Sequence, residues 1–219
     1  MRVALCLSGL PRSFVKCAES VRKHLIEPYQ PDIFISTWQS TLIDDKFPET
    51  HSPDELINHY NPIKFDIEIF DQRRQKSFET NPFKNHADQA GRSVGRMLPM
   101  FYRIFIADLH RFSYEQENRF KYDVVVRCRS DLRFDGPVKL EKTDPGVVCF
   151  PIKNSTSHVN DQFWFCDSGT SSQLCALYNF IPQLWHNGVL IHGEALLFAY
   201  VSAKGLTVKP VEINYEIVR

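Results

Sequence analysis

The chain lacks an excess of either charge, because its 26 Lys and Arg residues are matched by 26 Asp and Glu residues. It therefore lacks the overall positive field that draws proteins to nucleic acid. It also lacks an apolar run approaching the length of a transmembrane helix, and its apolar N-terminus is too short for a signal peptide. We expect a cytoplasmic protein that binds no nucleic acid, with a peripheral membrane contact left open.

The six cysteines form no C-x-x-C pair, and most of them lie inside apolar runs. This spacing favours neither a zinc site nor a disulfide framework. The pattern predicts buried free thiols in a reducing compartment.

Apolar strand-like segments alternate with segments of helical periodicity, which predicts an α/β fold with a mainly parallel sheet sandwiched by helices. No linker or repeat divides the 219 residues, so we expect one domain over 1–219. Strands are expected at Val3–Leu7, Ile33–Trp38, Phe65–Ile69, Tyr122–Asp131, Gly146–Pro151, Gln162–Cys166 and Leu206–Ile213. Helices are expected at Ser13–Tyr29, from a capping box at Ser52–Glu55, at Asp88–Glu117, from Ser168, and at Glu194–Ala203.

Three local predictions concern one loop and the breaks within two helices. The polar stretch Asp71–Asn85 is expected to be a surface loop. Gly91, Gly95 and Pro99 are expected to divide the long helix that follows. The helix from Ser168 is expected to kink or end at Pro182, or else to close at Asn187-Gly188.

The segment Tyr122–Phe134 begins as a β-branched strand and ends in charged residues. Side chains alternate along a strand, so we expect Arg127, Arg129 and Asp131 to share one face. Ligands of open α/β sheets bind at the carboxyl ends of the strands. The pattern favours an anion or anion–metal site, although an internal Arg–Asp salt bridge is the alternative.

The first strand leads through Leu7-Ser-Gly-Leu-Pro-Arg-Ser13 into a helix. A helix N-terminus binds phosphate well, Gly9 permits close approach of the backbone, and Arg12 can clamp a diphosphate. The turn is neither a P-loop nor a dinucleotide fingerprint. An ordinary βα turn with a surface arginine is an equally good interpretation.

Four further residues carry a functional and a structural interpretation. Asp161 is a candidate for binding a sugar hydroxyl or the acceptor, or else belongs to a turn. At the start of the last apolar helix, Glu194 is a candidate base and His192 a metal or phosphate ligand, unless they only cap the helix. Trp38 either stacks on a base or sugar, or packs in the core.

Several of these segments, in this order, resemble the GT-A class of nucleotide-sugar glycosyltransferases, and more narrowly the WavE-like group related to lipopolysaccharide synthesis. The matching pieces are Ala4–Phe14, Asp32–Trp38, Met100–Tyr102, Tyr122–Leu132 and Asn160–Phe163. The resemblance implies a GT-A-like, Rossmann-like sheet, a nucleotide at the end of the first strand, and a D-x-D motif that holds Mn²⁺ or Mg²⁺ against the diphosphate.

Carried over by position, the resemblance implies that Ser8, Gly9 and Arg12 meet the nucleotide and that Asp131 is the second Asp of D-x-D. The chain departs from the pattern at Arg129, which stands at the first Asp and repels a metal. Arg129 can instead neutralise the diphosphate without metal. The expected activity is sugar transfer from a nucleoside-diphosphate donor to a hydroxyl of a glycan or lipid-linked saccharide, with Asp131, Glu194 or Asp161 in the catalytic roles.

Two alternatives remain at this point. One is a sulfotransferase with a 3′-phosphoadenosine donor, because Ser8–Ser13 also resembles a 5′-phosphosulfate loop, although that turn contains no lysine. The other is a non-catalytic module that binds a glycan or a nucleotide, because the first Asp of D-x-D is missing.

Overall fold

The computed structural model describes residues 1–42, 51–79, 83, 94–153 and 159–218. Its strands are β1 (Val3–Gly9), β2 (Asp32–Ser40), β3 (Lys64–Phe70), β4 (Val124–Cys128), β5 (Leu132–Phe134), β6 (Val147–Pro151), β7 (Phe163–Cys166), β8 (Thr207–Val211) and β9 (Tyr215–Ile217). Its helices are α1 (Phe14–Val21), which continues through a π-helical turn (Arg22–Ile26) into α2 (Glu27–Tyr29), then α3 (Pro53–Tyr60), α4 (Gln72–Phe78), α5 (Val94–Asn118), α6 (Ser168–Cys175), α7 (Leu177–His186) and α8 (Gly193–Ala203).

Seven strands form one mixed sheet in the order β3-β2-β1-β4-β7-β6-β8. Neighbouring strands are parallel except where β7 pairs with β4 and with β6, so β7 alone is reversed. The predicted α/β architecture with a mainly parallel sheet is therefore confirmed, and it is compatible with a Rossmann-like fold. The strand order 3-2-1-4 also occurs in the doubly wound sheet, whose full order is 3-2-1-4-5-6.

Helices cover both faces of this sheet, which is why its central strands are largely apolar. Val124, Val125 and Val126 of β4 are fully buried, and burial of each stabilises the fold by roughly 1.5–3 kcal/mol. On one face, Phe14 and Leu56 from α1 and α3 share a core with the inward residues of β1, β2 and β4. On the other face, α5 packs on β1 and β2, and α6 packs on β4 and β7.

Helix α5 also supplies a buried polar network under the sheet. Arg111 donates from Nε to Asp108 Oδ1 (2.8 Å) and from Nη1 to Glu115 Oε2 (2.7 Å), and all three side chains are at most 6% exposed. It also donates to Ser168 Oγ and Ser172 Oγ of α6. These charge-assisted hydrogen bonds satisfy a guanidinium that would otherwise be costly to bury.

The prediction of a loop over Asp71–Asn85 was wrong for its first half. Residues 72–78 form α4, because Asp71 caps the helix by accepting from the Arg74 backbone N–H at 2.6 Å, and because Phe78 is buried against the core. Residues 80–82, 84 and 85 of that prediction lie outside the described residues.

The prediction that Pro99 divides the long helix was also wrong, because α5 continues through it without a break. Gly91 and the expected start at Asp88 lie outside the described residues, and Gly95 is the second residue of α5, so neither glycine is tested as a break. Proline at this position removes one intrahelical hydrogen bond, to the carbonyl of Gly95, and packing on the sheet holds the helix together.

Similarly, α7 runs through Pro182 without a break. The preceding helix, α6, ends at Cys175 instead, while Asn187-Gly188 closes α7 as expected, with Gly188 at φ 82°. The predicted capping box is only half formed. Ser52 Oγ accepts from the Asp54 backbone N–H at 3.1 Å, whereas Glu55 lies 3.3 Å from His51 Nδ1.

A small antiparallel sheet of β5 and β9 was not predicted. Among the described residues, no helix is long and apolar enough to cross a membrane.

Candidate anion-binding site

The carboxyl ends of β1 and β4 lie side by side at the point where the strand order changes direction. Strand β2 pairs with one side of β1, and β4 pairs with the other side. In open α/β sheets this switch point is where ligands bind, because the loops that follow the two strands diverge and leave a crevice. The first turn, residues 9–13, and the tip of β4, residues 129–131, both lie here.

Arg12 and Arg129 converge on Asp131 at this point. Arg129 donates from Nε to Asp131 Oδ1 at 2.8 Å and from Nη2 to Oδ2 at 2.6 Å, which is a bidentate pair. Arg12 donates from Nη1 to the same Oδ2 at 3.3 Å. The turn after β1 and the tip of β4 are therefore brought together. Strand β4 ends at Cys128, before its predicted end at Asp131, so a turn rather than strand alternation brings Asp131 to Arg129.

The carboxylate is the buried centre of this group, and the guanidiniums form its outer part. The side chain of Asp131 is 1% exposed, against 15% for Arg129 and 26% for Arg12. Burial pushes the pKa of Asp131 upward, but the charges of Arg129 and Arg12 outweigh it and hold the pKa below its usual value. Within the described chain, Nη1 of Arg129 makes no hydrogen bond, so this donor remains available to a ligand.

Arg127 lies within β4, close enough to Arg129, Asp131 and Asp161 to interact with their charges. It is 1% exposed, donates from Nη1 to the carbonyl of Gln162, and has an Nε with no hydrogen-bond partner among the described residues. Burial lowers the pKa of Arg127 to about 10, with the charge of Asp161 opposing that shift. Arg127 therefore stays protonated at neutral pH and adds a third positive charge.

Ser8 and Gly9 form the floor of the site at the end of β1. Ser8 Oγ is buried and has no hydrogen-bond partner in the described part of the chain. Gly9 has φ 114°, and a Cβ built there meets nothing within 4 Å, so the backbone faces open space. Arg12 is also left-handed, at φ 48°, an uncommon conformation for a residue with a side chain.

The two candidate carboxylates outside this group lie at the start of α8. A Cβ added to Gly193 would lie 3.0 Å from Asp161 Oδ2, so this carboxylate sits against the first residue of the helix, where the dipole favours negative charge. Glu194 Oε2 lies 3.1 Å from His192 Nδ1, and its side chain is 20% exposed. A cavity of about 10 Å³ beside Asp161 and Trp164 has room for roughly one water molecule and for no larger ligand.

Trp38 does not present an open face to a ligand. It is 3% exposed, its Nε1 donates to the carbonyl of Pro99 at 3.4 Å, and the guanidinium of Arg103 lies 3.5 Å from the ring centroid. Tyr102 stacks against the same indole at 5.8 Å. The geometry corresponds to the core-packing interpretation rather than to stacking on a base or sugar.

The geometry also bears on the expected metal ligands. Both oxygens of Asp131 accept hydrogen bonds from guanidiniums, and His192 Nδ1 faces Glu194. Within the described ranges, no group of three or more His, Cys, Asp or Glu side chains is arranged to hold a metal ion. A divalent cation at Asp131 would have to displace Arg129 from at least one oxygen.

Sequence reasoning missed the groups that fix the tip of β4. Ser130 Oγ lies 3.0 Å from the carbonyl of Leu10, which ties the tip to the first turn. The backbone N–H of Val218 donates to the carbonyl of Asp131 at 3.0 Å, and the carbonyl of Val218 accepts from Ser13 Oγ at 2.5 Å. No periodicity or motif indicates such contacts, because they join residues far apart in the chain.

A family model described as a domain of unknown function, DUF7796, matches residues 1–218. No curated protein sequence matches the chain.

Proposed function

This chain belongs to the DUF7796 family, and we propose that it is a glycosyltransferase that moves a sugar from a nucleoside-diphosphate donor to a hydroxyl of a glycan or lipid-linked saccharide. The observation that carries the proposal is the convergence of Arg12 and Arg129 on Asp131 at the switch point of the sheet. A GT-A-type fold is part of this proposal. It is supported by a charged β4 tip that faces the turn after β1, which is where that class holds its donor.

The guanidinium donors of the site favour an anion. Among the described residues, Nη1 of Arg129 and the buried Nε of Arg127 make no hydrogen bond. Planar guanidiniums form paired hydrogen bonds with phosphate oxygens, and partial burial strengthens those bonds. We place the bound diphosphate along the open side of Gly9, beside Arg12 and Arg129.

We assign Asp131 to holding the two arginines in place rather than to binding a metal. In this arrangement, the guanidinium of Arg129 supplies the positive charge that a divalent cation supplies in a D-x-D site. Donor binding is therefore independent of Mn²⁺ and Mg²⁺ in this proposal. Ser8 Oγ and Arg127 Nε, which have no hydrogen-bond partner among the described residues, are further donors for phosphate or ribose oxygens.

The transfer step requires a leaving-group stabiliser and a base. The bond between the anomeric carbon and the diphosphate oxygen breaks, and its electron pair leaves with the diphosphate, whose charge Arg12 and Arg129 stabilise. The acceptor oxygen bonds to the anomeric carbon, and its proton passes to a carboxylate. Glu194 is the better placed base, because it retains solvent exposure and is oriented by His192.

Calorimetric titration with UDP, GDP and CMP and with their sugar conjugates tests the proposal, in EDTA and again with Mn²⁺. We expect a nucleoside diphosphate to bind in EDTA. Arg129→Met should weaken that binding about 10- to 100-fold, since a charge-assisted hydrogen bond contributes about 1.5–3 kcal/mol. Arg133→Met is the matched control, because Arg133 lies on β5, is 53% exposed and pairs with Glu216.

The outcomes separate the alternatives. Binding of adenosine 3′,5′-bisphosphate in place of any nucleoside diphosphate would favour a sulfotransferase. Tight binding of a nucleotide sugar that is never transferred or hydrolysed would favour a non-catalytic module. If no nucleotide or nucleotide sugar binds, with or without Mn²⁺, the proposed function is wrong.

A further inference from the structure

A buried hydroxyl far along the chain connects to the candidate site. Tyr215 on β9 is fully buried, and its hydroxyl accepts a hydrogen bond from Asn160 Nδ2 at 2.6 Å and donates one to Gln162 Oε1 at 3.1 Å. Burial raises the pKa of Tyr215 to about 12, so the hydroxyl keeps its proton at physiological pH. Both its donor and its acceptor functions are directed at the turn that precedes β7.

Asn160 transmits this constraint to the backbone of the turn. Its side chain is fully buried, and its Oδ1 accepts from the backbone N–H of Gln162 at 2.8 Å and of Phe163 at 3.0 Å. An Asn side chain that bonds the backbone two and three residues ahead fixes an Asx-type turn. The hydroxyl of Tyr215 fixes the orientation of that amide, and with it the position of residue 162.

The carbonyl of Gln162 is the point where this turn meets the arginines. It accepts from the backbone N–H of Arg129 at 3.1 Å and from Nη1 of Arg127. One carbonyl thus positions the backbone of one arginine and the side chain of the other. Three residues beyond Tyr215, Val218 binds the backbone of Asp131, so the same C-terminal segment holds the tip of β4 from a second side.

We propose that Tyr215 is a positioning residue for the anion-binding site, acting through Asn160 and Gln162 on Arg127 and Arg129; this inference rests on the proposed function. Without the hydroxyl, the amide of Asn160 and the side-chain oxygen of Gln162 each lose a buried partner. The turn then relaxes, and the carbonyl of Gln162 no longer holds the two arginines at the separation that a diphosphate requires. Phosphate binding weakens although every charged residue is still present.

The test compares Tyr215→Phe with Tyr200→Phe. Tyr200 is the matched control because it is equally buried, its hydroxyl also donates a hydrogen bond (to the carbonyl of Gln173, 2.9 Å), and burial raises its pKa to about 12 as well. It lies on α8, within the core on the opposite side of the sheet from α1. We expect similar losses of stability in urea denaturation for the two variants.

Only Tyr215→Phe should weaken the binding of UDP or GDP, by about fivefold or more, and it should leave the binding of uridine or guanosine unchanged. A second readout needs no ligand: Nε–H exchange of Arg129, followed by NMR, should accelerate in Tyr215→Phe and remain at the wild-type rate in Tyr200→Phe. If Tyr215 only stabilised the fold, both variants would lose stability. Neither the binding of UDP or GDP nor the Nε–H exchange of Arg129 would then change in Tyr215→Phe alone.

Failure of the inference and failure of the proposed function give different results. If the wild type binds UDP or GDP and Tyr215→Phe binds it equally well, the positioning role is wrong while the proposed function stands. If the wild type binds no nucleotide and no nucleotide sugar, with or without Mn²⁺, the proposed function fails. The exchange rate of Arg129 then decides the positioning role alone, and an unchanged rate in Tyr215→Phe overturns it.

Discussion

Arg12 and Asp131 are 119 positions apart in the chain, yet Nη1 of the arginine lies 3.3 Å from Oδ2 of the aspartate. The contact joins the turn after β1 to the tip of β4, and these are the strands that flank the switch point. Because Arg129 holds the same carboxylate in a bidentate pair, Asp131 is the centre of the candidate site both electrostatically and geometrically.

Replacing Asp131 with Asn should destabilise the protein by about 3 kcal/mol, because the largely buried guanidinium of Arg129 loses its bidentate carboxylate partner. The loss should appear as a lower midpoint in urea denaturation with an unchanged slope. Asp135→Asn is the control, since Asp135 is 50% exposed and lies 3.7 Å from Lys153 at the surface. Equal effects of the two substitutions would contradict the assignment of Asp131 as a buried ion-pair centre.

The contribution of Asp131 should also depend on pH in one direction. Its pKa is lowered in the folded state, so the carboxylate stabilises the protein fully above the unfolded-state value of about 3.9 and loses this effect as pH falls through the folded value. The difference in unfolding free energy between wild type and Asp131→Asn should therefore shrink below about pH 4. A difference that stays constant from about pH 6 to about pH 3 would exclude a charged, paired Asp131.

Gly9→Ala should cost about 1 kcal/mol although there is room for the methyl group, because φ 114° is unfavourable for any residue with a Cβ. Gly136→Ala provides the comparison, since its Cβ position is equally open and its φ is not positive. That substitution should be neutral or stabilise the protein by up to about 1 kcal/mol. Thermal and urea denaturation of both variants measure the contrast, and equal effects would show that the conformation of Gly9 carries no strain.

Glu194→Gln should slow sugar transfer about 10²- to 10⁴-fold and leave donor affinity unchanged, because a general base acts on the acceptor rather than on the diphosphate. The measurement is donor turnover set against donor binding for the same variant. Asp161→Asn is the parallel variant, because its carboxylate lies against the start of the same helix. A normal rate in Glu194→Gln together with a slow rate in Asp161→Asn would transfer the role of base to Asp161.

The parallel sheet, and the proximity of the charged residues that follow β1 and β4, could be predicted from sequence for a physical reason. Apolar, β-branched runs such as residues 124–126 mark strands covered on both faces, and the carboxyl ends of parallel strands meet at one edge of the sheet. Arg12 and Asp131 could therefore be expected to lie near each other without coordinates.

Other features depend on tertiary packing that no local pattern records. The segment of α4 is predicted as a loop because Phe78 is its only large apolar residue. Pro99 is predicted as a helix break because the sequence does not show that α5 packs on the sheet. The direction of Trp38 is fixed by Arg103 on a distant helix. The role of Tyr215 depends on hydrogen bonds to residues more than fifty positions away.

The most direct measurement of the central claim is a crystal structure of the protein soaked with UDP or GDP in the absence of divalent metal. The account predicts phosphate oxygens within about 3 Å of guanidinium nitrogens of Arg12 and Arg129, above Gly9, with Arg129 still paired to Asp131. A diphosphate bound elsewhere on the protein, or one seen at Asp131 only when Mn²⁺ replaces Arg129, would contradict it.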